Sequence, residues 1–234
     1  MLEVFAWISL IVAFACALFI AVDETRRPQK MAVMNAVWPI SALYFSAIAL
    51  WAYMRWGRPE TKKAMERTRK DHGGHDSATG QRSNSTPKAS QVAIGTSHCG
   101  AGCAIADVVC EFWIAAAGIT LLGSVLWAEY AIDFVAAWAV GIVFQYFSIK
   151  PMRNLSPGEG IVAAIKADTL SIIAFQVGMY AWMALVHFVL FPEPHLKPFD
   201  PRYWFMMQIG MICGFATSYP MNWWLLRIGL KEAM

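Results

Sequence analysis

The sequence predicts an all-α polytopic membrane protein with about six transmembrane helices, two before a polar linker and four after it. Of the 234 residues, 58% are hydrophobic and only 15% are charged, whereas a soluble domain carries roughly a quarter charged residues. The charges also concentrate between Arg55 and Arg82 and leave long apolar runs elsewhere. Both patterns are typical of a protein that crosses a bilayer several times.

The first two spans form an N-terminal membrane segment, residues 1–55. Val4–Val22 is apolar, and Met31–Met54 follows after the short polar turn Asp23–Lys30. A cleaved signal peptide would begin with Lys or Arg, but Glu3 stands at that place. A first membrane helix is therefore the better interpretation of this stretch.

Residues 56–93 form a polar linker that we predict to be cytoplasmic and disordered at its centre. It contains Gly73-Gly74, Gly80, Pro87 and many Ser, Thr and Lys residues, a composition that buries little apolar surface. Within it, the tract Asp71–Asp76 carries two histidines that could load a metal ion. Short His-bearing tracts of this kind usually have no role, and we expect none here.

Residues 94–234 predict a four-helix membrane domain. The segment after Ser156-Pro157-Gly158 is too long for a simple crossing, because about 1.5 Å per residue exceeds a hydrocarbon layer of about 30 Å. Its first two turns are therefore expected at the interface, with Ser156 as the N-cap. The four predicted spans are about Gly100–Leu122, Ala131–Ile149, Gly160–Phe191 and Tyr203–Leu226.

The Lys and Arg residues predict the orientation in an inner (plasma) membrane. If both termini lie in the cytoplasm, the outer connections keep only Arg26, Arg27, Lys30, Lys197 and Arg202. Cytoplasmic loops also account for the net charge of +3, so the charge does not indicate a nucleic-acid partner. The cytoplasmic side would hold Arg55, Arg58, Lys62, Lys63, Arg67, Arg69, Lys70, Arg82, Lys88, Lys150, Arg153, Arg227 and Lys231.

Cysteine usage argues against a secreted disulfide framework. The number of cysteines is odd, and most of them lie in apolar segments. They are Cys16, Cys99, Cys103, Cys110 and Cys213.

The most informative stretch is Ser97–Cys103, which is followed by Asp107, Cys110 and Glu111. On a helix, the thiols and carboxylates fall within about 120° of arc, so one face carries all of them. Burying ionisable groups in hydrocarbon is expensive, and their presence there indicates a functional site. In the predicted orientation, His98 lies at the inner membrane boundary and Glu111 lies nearer the midplane.

This face predicts a site for a soft transition-metal ion, either copper or zinc. Thiolates and an imidazole suit Cu(I) or Zn, and a nearby carboxylate can orient the imidazole or carry a proton. Gly100 and Gly102 would let the backbone bend around the ion. The alternative is that buried cysteines pack as small hydrophobic residues, which is the better interpretation of Cys110 by itself.

Asp168 is expected to complete this site, because it should lie level with Cys99 and Cys103 on the inner side. An interfacial pair in which Lys166 reaches the headgroups explains Asp168 equally well. Pro220 frees a backbone carbonyl at about the same level. The predicted metal-binding residues are His98, Cys99, Cys103, Asp107, Glu111 and Asp168.

A polar track toward the outer face is also predicted. Glu129, Asp133 and His187 are each explained by a position near a helix end, but together with Glu111 they outline a path for an ion or a proton. The methionines of the last span are expected to fill the core. They are Met206, Met207, Met211 and Met221.

The C-terminal part, about Gln91–Met234, resembles a bacterial and archaeal membrane family known as domain of unknown function 4396. Ala106 is one departure, since the family is expected to show Gly there. The family has no settled activity, and its occasional label of copper oxidase finds no His-x-His pair among the five histidines. The likeness rests on Ser97-His98-Cys99-x-x-Gly102-Cys103 with Asp107 and Glu111, on Lys166-Ala167-Asp168-Thr169, and on Ser218-Tyr219-Pro220-Met221-Asn222-Trp223-Trp224.

Three functions stay open at this point. The leading hypothesis is a protein that binds and transports a soft metal, with His98, Cys99 and Cys103 capturing the ion while carboxylates carry coupled protons. The first alternative is a membrane thiol–disulfide oxidoreductase, although cysteines four apart on a straight helix are too distant for a relaxed disulfide unless the glycines break the helix. The second is a non-catalytic accessory subunit. No phosphate loop or haem-attachment motif is visible, and a homo-oligomer is compatible with the sequence.

Overall fold

The computed structural model describes residues 1–29, 31–59, 88–153 and 156–231, and these ranges are helical without a strand. The predicted all-α class is confirmed. The helices are α1 (Leu2–Arg26), α2 (Met34–Phe45), α3 (Ala47–Ala52), α4 (Ala89–Ala117), α5 (Val125–Arg153), α6 (Pro157–Leu185) and α7 (Pro201–Arg227), with π-helical turns at Tyr53–Gly57 and Val186–Leu190.

Two features of the predicted linker lie outside the described residues. These are its disordered centre and the His-bearing tract Asp71–Asp76. The end of the linker is described, and it is helical, because α4 begins at Ala89 rather than at about Gly100. The side-chain oxygen of Gln91 accepts a hydrogen bond of 3.0 Å from the backbone N–H of Lys88, which caps the first turn and fixes the start of the helix upstream of the predicted boundary.

Among the described residues, four helices are long and apolar enough to cross a membrane, so the count of six spans is not confirmed. Of the six predicted spans, Met31–Met54 is broken at Ser46, where φ is +48°. The last helix, α7, is long enough, but its Pro, Tyr and polar residues lower its hydropathy. The four candidate spans are Leu2–Arg26, Ala89–Ala117, Val125–Ser148 and Pro157–Leu190.

The pattern of burial is the reverse of that in a soluble protein. On α4, Val109 is 63% exposed and Trp113 is 57% exposed, whereas Asp107 and Glu111 are nearly completely buried. On α1, large apolar side chains such as Phe14 are exposed over most of the helix. An exposed apolar surface of this extent needs a cover, and a lipid bilayer supplies one.

The second predicted span is a helical hairpin that returns to the end at which it starts. After α3, Arg58 donates two hydrogen bonds of 2.9 Å to Asp23, at the end of α1. Gln29 donates a further bond of 2.8 Å to the carbonyl of Gly57. Residues that were predicted on opposite faces of the membrane are therefore in contact, and a single crossing over Met31–Met54 is not confirmed.

One face of the helical hairpin packs against the bundle, while Ile48 and Trp51 on its other face are more than half exposed. Its tip is the Ser46 turn, and Tyr44 just before the tip is 4% exposed and lies against α4. Trp38 and Tyr53 pack edge to face, with ring centroids 5.6 Å apart.

The start of α7 is defined by a local cap in the connection that precedes it. Asp200 accepts a hydrogen bond of 2.8 Å from the backbone N–H of Arg202, which is the N-cap arrangement. The guanidinium of Arg202 also donates to this carboxylate and lowers the pKa of Asp200 below its ordinary value. This end of the helix lies near Glu3, and therefore near the start of α1.

Candidate functional site

One face of α4 carries the predicted polar residues, as the spacing indicated. Cys99, Cys103, Asp107 and Glu111 follow one another at intervals of four residues, and none is more than 2% exposed. At about 1.5 Å per residue, each interval advances about 6 Å along the helix. Cys103 stands at the middle of α4, 14 positions after Ala89 and 14 positions before Ala117.

The glycines of the motif have a different role from the predicted one. The helix runs unbroken through Gly100 and Gly102, so the backbone does not bend around an ion. A Cβ at Gly102 would lie 3.3 Å from the Cα of Gly141 on α5, and a Cβ at Gly100 would lie 2.6 Å from the hydroxyl of Tyr44. The glycines therefore allow neighbouring elements to approach α4 closely.

Cys99 lies at the centre of a buried polar cluster, which we call the thiol site (Cys99, Asp168, Ser171 and Lys231). Its Sγ donates a hydrogen bond to Oδ1 of Asp168 over 2.9 Å. The ammonium of Lys231 donates to the same carboxylate oxygen over 2.7 Å and to the sulfur over 3.1 Å. Asp168 therefore lies against the thiol face of α4, and its role as a metal ligand stays a prediction.

The thiol site is supported from α7 by a chain of small polar side chains. The Ser171 hydroxyl lies 3.1 Å from Sγ of Cys99 and 3.3 Å from the Ser218 hydroxyl. Ser218 donates to the carbonyl of Ser171 over 2.9 Å and accepts a bond of 2.9 Å from the Asn222 amide. Pro220 lies inside α7 between these residues, and the helix continues through it.

Sequence reasoning missed Lys231 as a member of this site. It was counted among the cytoplasmic surface charges, but the residue is only 3% exposed. The expected partner of Asp168, Lys166, is exposed on α6 instead. A single lysine shortly after the last helix carries no local pattern that distinguishes a buried position from a surface one.

His98 is buried but does not join the thiol site. Its ring packs edge to face on Phe144 of α5, with centroids 5.7 Å apart. Neither ring nitrogen makes a hydrogen bond of ordinary geometry with the described residues. The prediction that His98 and Cys99 act on the same ion is therefore not supported by direct contact, because successive helical residues point in different directions.

At the Glu111 end of the polar face lies a second cluster of buried polar residues, which we call the acidic cavity. Glu111 of α4 meets Glu129 and Asp133 of α5 and Tyr203 of α7. The cavity measures about 10 Å³, which is close to the minimum for one water molecule. Its remaining lining residues are Tyr130, Met179, Tyr180, Met183 and Met207.

The acidic cavity has no cationic partner among its described lining residues. One oxygen of Glu111, one oxygen of Asp133 and the hydroxyl of Tyr203 make no hydrogen bond of ordinary geometry within the described part of the chain. All three residues are at least nine-tenths buried. The two acids of α5 therefore adjoin Glu111, and a path for an ion or a proton through them stays a prediction.

His187 does not join the acidic cavity. Its ring stacks on that of His195, with centroids 3.8 Å apart, and it is absent from the cavity lining.

Two of the methionines of α7 lie in the core as expected, since Met207 and Met211 belong to the main hydrophobic cluster.

Within the described ranges, no three His, Cys, Asp or Glu side chains converge on a point that a metal ion could occupy. Of the six predicted ligands, Cys99 and Asp168 are in contact. Cys103, Asp107 and Glu111 continue along α4, away from the thiol site. All five cysteines are free thiols.

Comparison with known families gives one match. Residues 89–231 match the family described as Domain of unknown function (DUF4396), which covers more than half of the chain. The matched range includes both the thiol site and the acidic cavity, and excludes α1 and the helical hairpin. No curated protein and no solved structure matches the chain.

Proposed function

The chain belongs to the DUF4396 family, and we propose that it binds a soft transition-metal cation such as copper(I) and transports it across the bilayer. The observation that carries the proposal is the position of the Lys231 ammonium, which lies between a thiol and a carboxylate in the protein interior. That position already holds a positive charge. The same two groups offer a soft sulfur ligand and an anionic oxygen to a cargo cation.

The thiols give the proposal its selectivity. Cys99 and Cys103 lie one turn apart on α4, and thiolates favour Cu(I) over the hard cations that carboxylates prefer. A metal binds the thiolate rather than the thiol, so binding releases a proton. Asp168 already accepts the hydrogen bond of the Cys99 thiol, and it is therefore in position to receive that proton.

The polar side chains on one face of α4 form a column, which is the path that we propose for transport. From Cys99 the column continues through Cys103 and Asp107 to Glu111, about 18 Å along the helix axis. Buried ionisable residues that follow one another inside a membrane bundle mark ion and proton pathways. The carboxylates of the column are suited to carry protons coupled to the movement of the cation.

The contacts of the helical hairpin support a topology of five crossings, formed by α1 and α4 to α7. Because Arg58 pairs with Asp23, the segment after the hairpin starts at the same end of the bundle as the end of α1. The N-terminus and the C-terminus would then lie on opposite sides. This differs from the sequence-based prediction of six crossings with both termini in the cytoplasm.

Charge supports this topology more strongly than it supports six spans. Of the 19 Lys and Arg residues, only Lys197, in the connection before α7, and Arg202, in the first turn of α7, fall on the side of the N-terminus. That side is the outer one under the positive-inside rule. The thiol site would then face the cytoplasmic half and the acidic cavity the outer half of a plasma membrane. A reporter fused before Met1 should be accessible from outside; a reporter accessible only from the cytoplasm would contradict this topology.

The function is tested by metal analysis of the full-length protein in detergent. Protein loaded with Cu(I) and desalted should retain stoichiometric copper, and the Cys99→Ser/Cys103→Ser variant should retain none. The matched control is Cys16→Ser/Cys213→Ser, which removes two thiols outside the column and should bind as the wild type does. Equal copper in all three proteins would reject the proposal, and a reversible Cys99–Cys103 disulfide found by thiol trapping would favour an oxidoreductase.

A further inference from the structure

The C-terminal turn directs Lys231 back into the bundle. After α7 ends at Arg227, Gly229 adopts a φ of +74°, a conformation that glycine tolerates best. The N–H groups of Leu230 and Lys231 then both donate to the carbonyl of Leu225, over 3.1 and 3.2 Å. Together with the bond of 3.2 Å from the Gly229 N–H to the carbonyl of Leu226, this is the Schellman arrangement that ends a helix, and it reverses the chain within a few residues.

The Lys231 side chain enters the bundle beside α4 and ends at the thiol site. Its Cε passes 4.0 Å from the place where Gly95 would carry a Cβ. Its side chain is only 1% exposed, and that of Asp168 is not exposed. A fully buried ion pair is costly to assemble, because both ions lose their hydration, and it is not needed to hold a short terminal turn.

The atoms that hold the ammonium are the atoms that the proposed cargo needs. Lys231 uses Oδ1 of Asp168 and Sγ of Cys99, so a metal on the same sulfur would lie within a few ångströms of a second positive charge. Two like charges at that distance repel strongly in a medium of low dielectric constant. The ammonium and the cargo therefore exclude each other from the thiol site.

We propose that Lys231 is a tethered cation, which occupies the thiol site when no cargo is bound and is displaced when a soft monovalent cation enters. The inference rests on the proposed function, since it names the competitor at the same site. A monovalent cation replaces the ammonium charge for charge: the cation is balanced by the Cys99 thiolate, and the thiol proton passes to Asp168. The turn at Gly229 is the point about which the terminal segment moves, because it joins the lysine to the end of α7.

The first experiment measures the access of reagents to Cys99 and needs no metal. Full-length protein in lipid nanodiscs is treated with a small, water-soluble methanethiosulfonate, and modification of Cys99 is followed by peptide mass spectrometry. Lys231→Met removes the tethered cation and should accelerate modification of Cys99 about tenfold, because the state in which the ammonium occupies the thiol site no longer dominates. Lys166→Met, which removes an exposed lysine of α6, is the matched control and should react as the wild type does.

A second variant keeps the result interpretable if Lys231→Met folds poorly. In Gly229→Val both partners of the ion pair remain, no atom lies within 4 Å of the new Cβ, and the positive φ becomes strained. This variant should also accelerate Cys99 modification, though less than Lys231→Met does. Rates equal to wild type in both variants would overturn the tethered cation.

The second experiment measures affinity for Cu(I) by competition with a colorimetric chelator. Lys231→Met should bind about tenfold more tightly than the wild type, because binding no longer requires the ammonium to leave. If neither protein binds copper but Cys99 modification is accelerated, the tethered lysine stands and the proposed cargo fails. If both bind copper with equal affinity, the proposed cargo stands and the tethered cation is wrong.

Discussion

The thiol site and the acidic cavity lie on the same face of α4, but of the two only the thiol site has a cationic side chain among the described residues. At the thiol site a carboxylate has a partner, since Asp168 is paired with the ammonium of Lys231 at 2.7 Å. In the acidic cavity, Glu111 and Asp133 are buried among other acids without a described cation. Burial of an acid therefore does not by itself define its role. Whether the acid has a cationic partner determines how its replacement changes the free energy of unfolding.

The largest expected effect comes from removing the lysine of the thiol site. Lys231→Met leaves the Asp168 carboxylate buried without its cationic partner, and loss of one partner of a buried pair costs about 3–5 kcal/mol. We expect the free energy of unfolding to fall by that amount without metal. Thermal or denaturant unfolding of the purified protein in detergent measures the change.

A second substitution that removes the unpaired charge should restore part of the lost stability of Lys231→Met. Lys231→Met/Asp168→Asn removes both charges, so the loss should shrink to about 1–2 kcal/mol, since no uncompensated ion remains. Lys166→Met should leave the midpoint of unfolding unchanged. A double variant no more stable than Lys231→Met would show that the ion pair is not the source of the stabilisation.

The second prediction contrasts the acids of the two regions. Asp168→Asn strands the ammonium of Lys231 and should cost about 3–5 kcal/mol. Glu111→Gln exchanges a carboxyl group that has no described cationic partner for a neutral amide of similar size, so the free energy of unfolding should change by less than about 1 kcal/mol or rise. Equal losses in the two variants, measured by the same unfolding assay, would abolish the distinction between the regions.

The third prediction concerns the packing that shapes the thiol site. A Cβ at Gly141 would lie 2.5 Å from Cδ1 of Ile172 and 3.3 Å from Oδ2 of Asp168. Gly141→Ala should therefore cost about 1–3 kcal/mol through overpacking. Gly158→Ala is the control, because no atom lies within 4 Å of its Cβ, and it should stay within about 0.5 kcal/mol of the wild type. A tolerated Gly141→Ala would mean that α5 and α6 pack less closely than described.

The smallest expected effects come from single hydroxyl groups. Ser218→Ala loses the bond to the Ser171 carbonyl and the acceptor for Asn222, and should cost about 1 kcal/mol. Tyr203→Phe removes a hydroxyl that has no hydrogen bond of ordinary geometry among the described residues, so its cost should be below about 0.5 kcal/mol. The opposite ranking would show that Tyr203, rather than Ser218, has the firmer partner.

The polar face of α4 was predictable because it depends on one helix only. Residues at intervals of four lie on one side of any α-helix, so the spacing from Cys99 to Glu111 was sufficient. The meeting of Asp168 with this face was predictable from depth, since both lie at similar distances along their helices. The role of Gly102 was not, because a glycine that admits a neighbour and a glycine that bends the chain look alike in sequence.

The helical hairpin and Lys231 were beyond sequence reasoning for a different reason. Met31–Met54 is long and apolar enough for one crossing, and the turn at Ser46 has no glycine or Asn-Gly pair to signal it. The contact that reveals the hairpin joins Asp23 to Arg58, 35 positions apart. Likewise, Lys231 is 63 positions from Asp168. Pairings at such separations are set by packing of the whole bundle and leave no local periodicity.

The central claim, that a soft cation binds at the thiol site, is tested most directly by copper K-edge X-ray absorption on the Cu(I)-loaded protein. The wild type should show sulfur in the first coordination shell, and this contribution should fall in Cys99→Ser while Cys213→Ser leaves it unchanged. A shell of nitrogen and oxygen only, or a spectrum unaltered by Cys99→Ser, would contradict the claim.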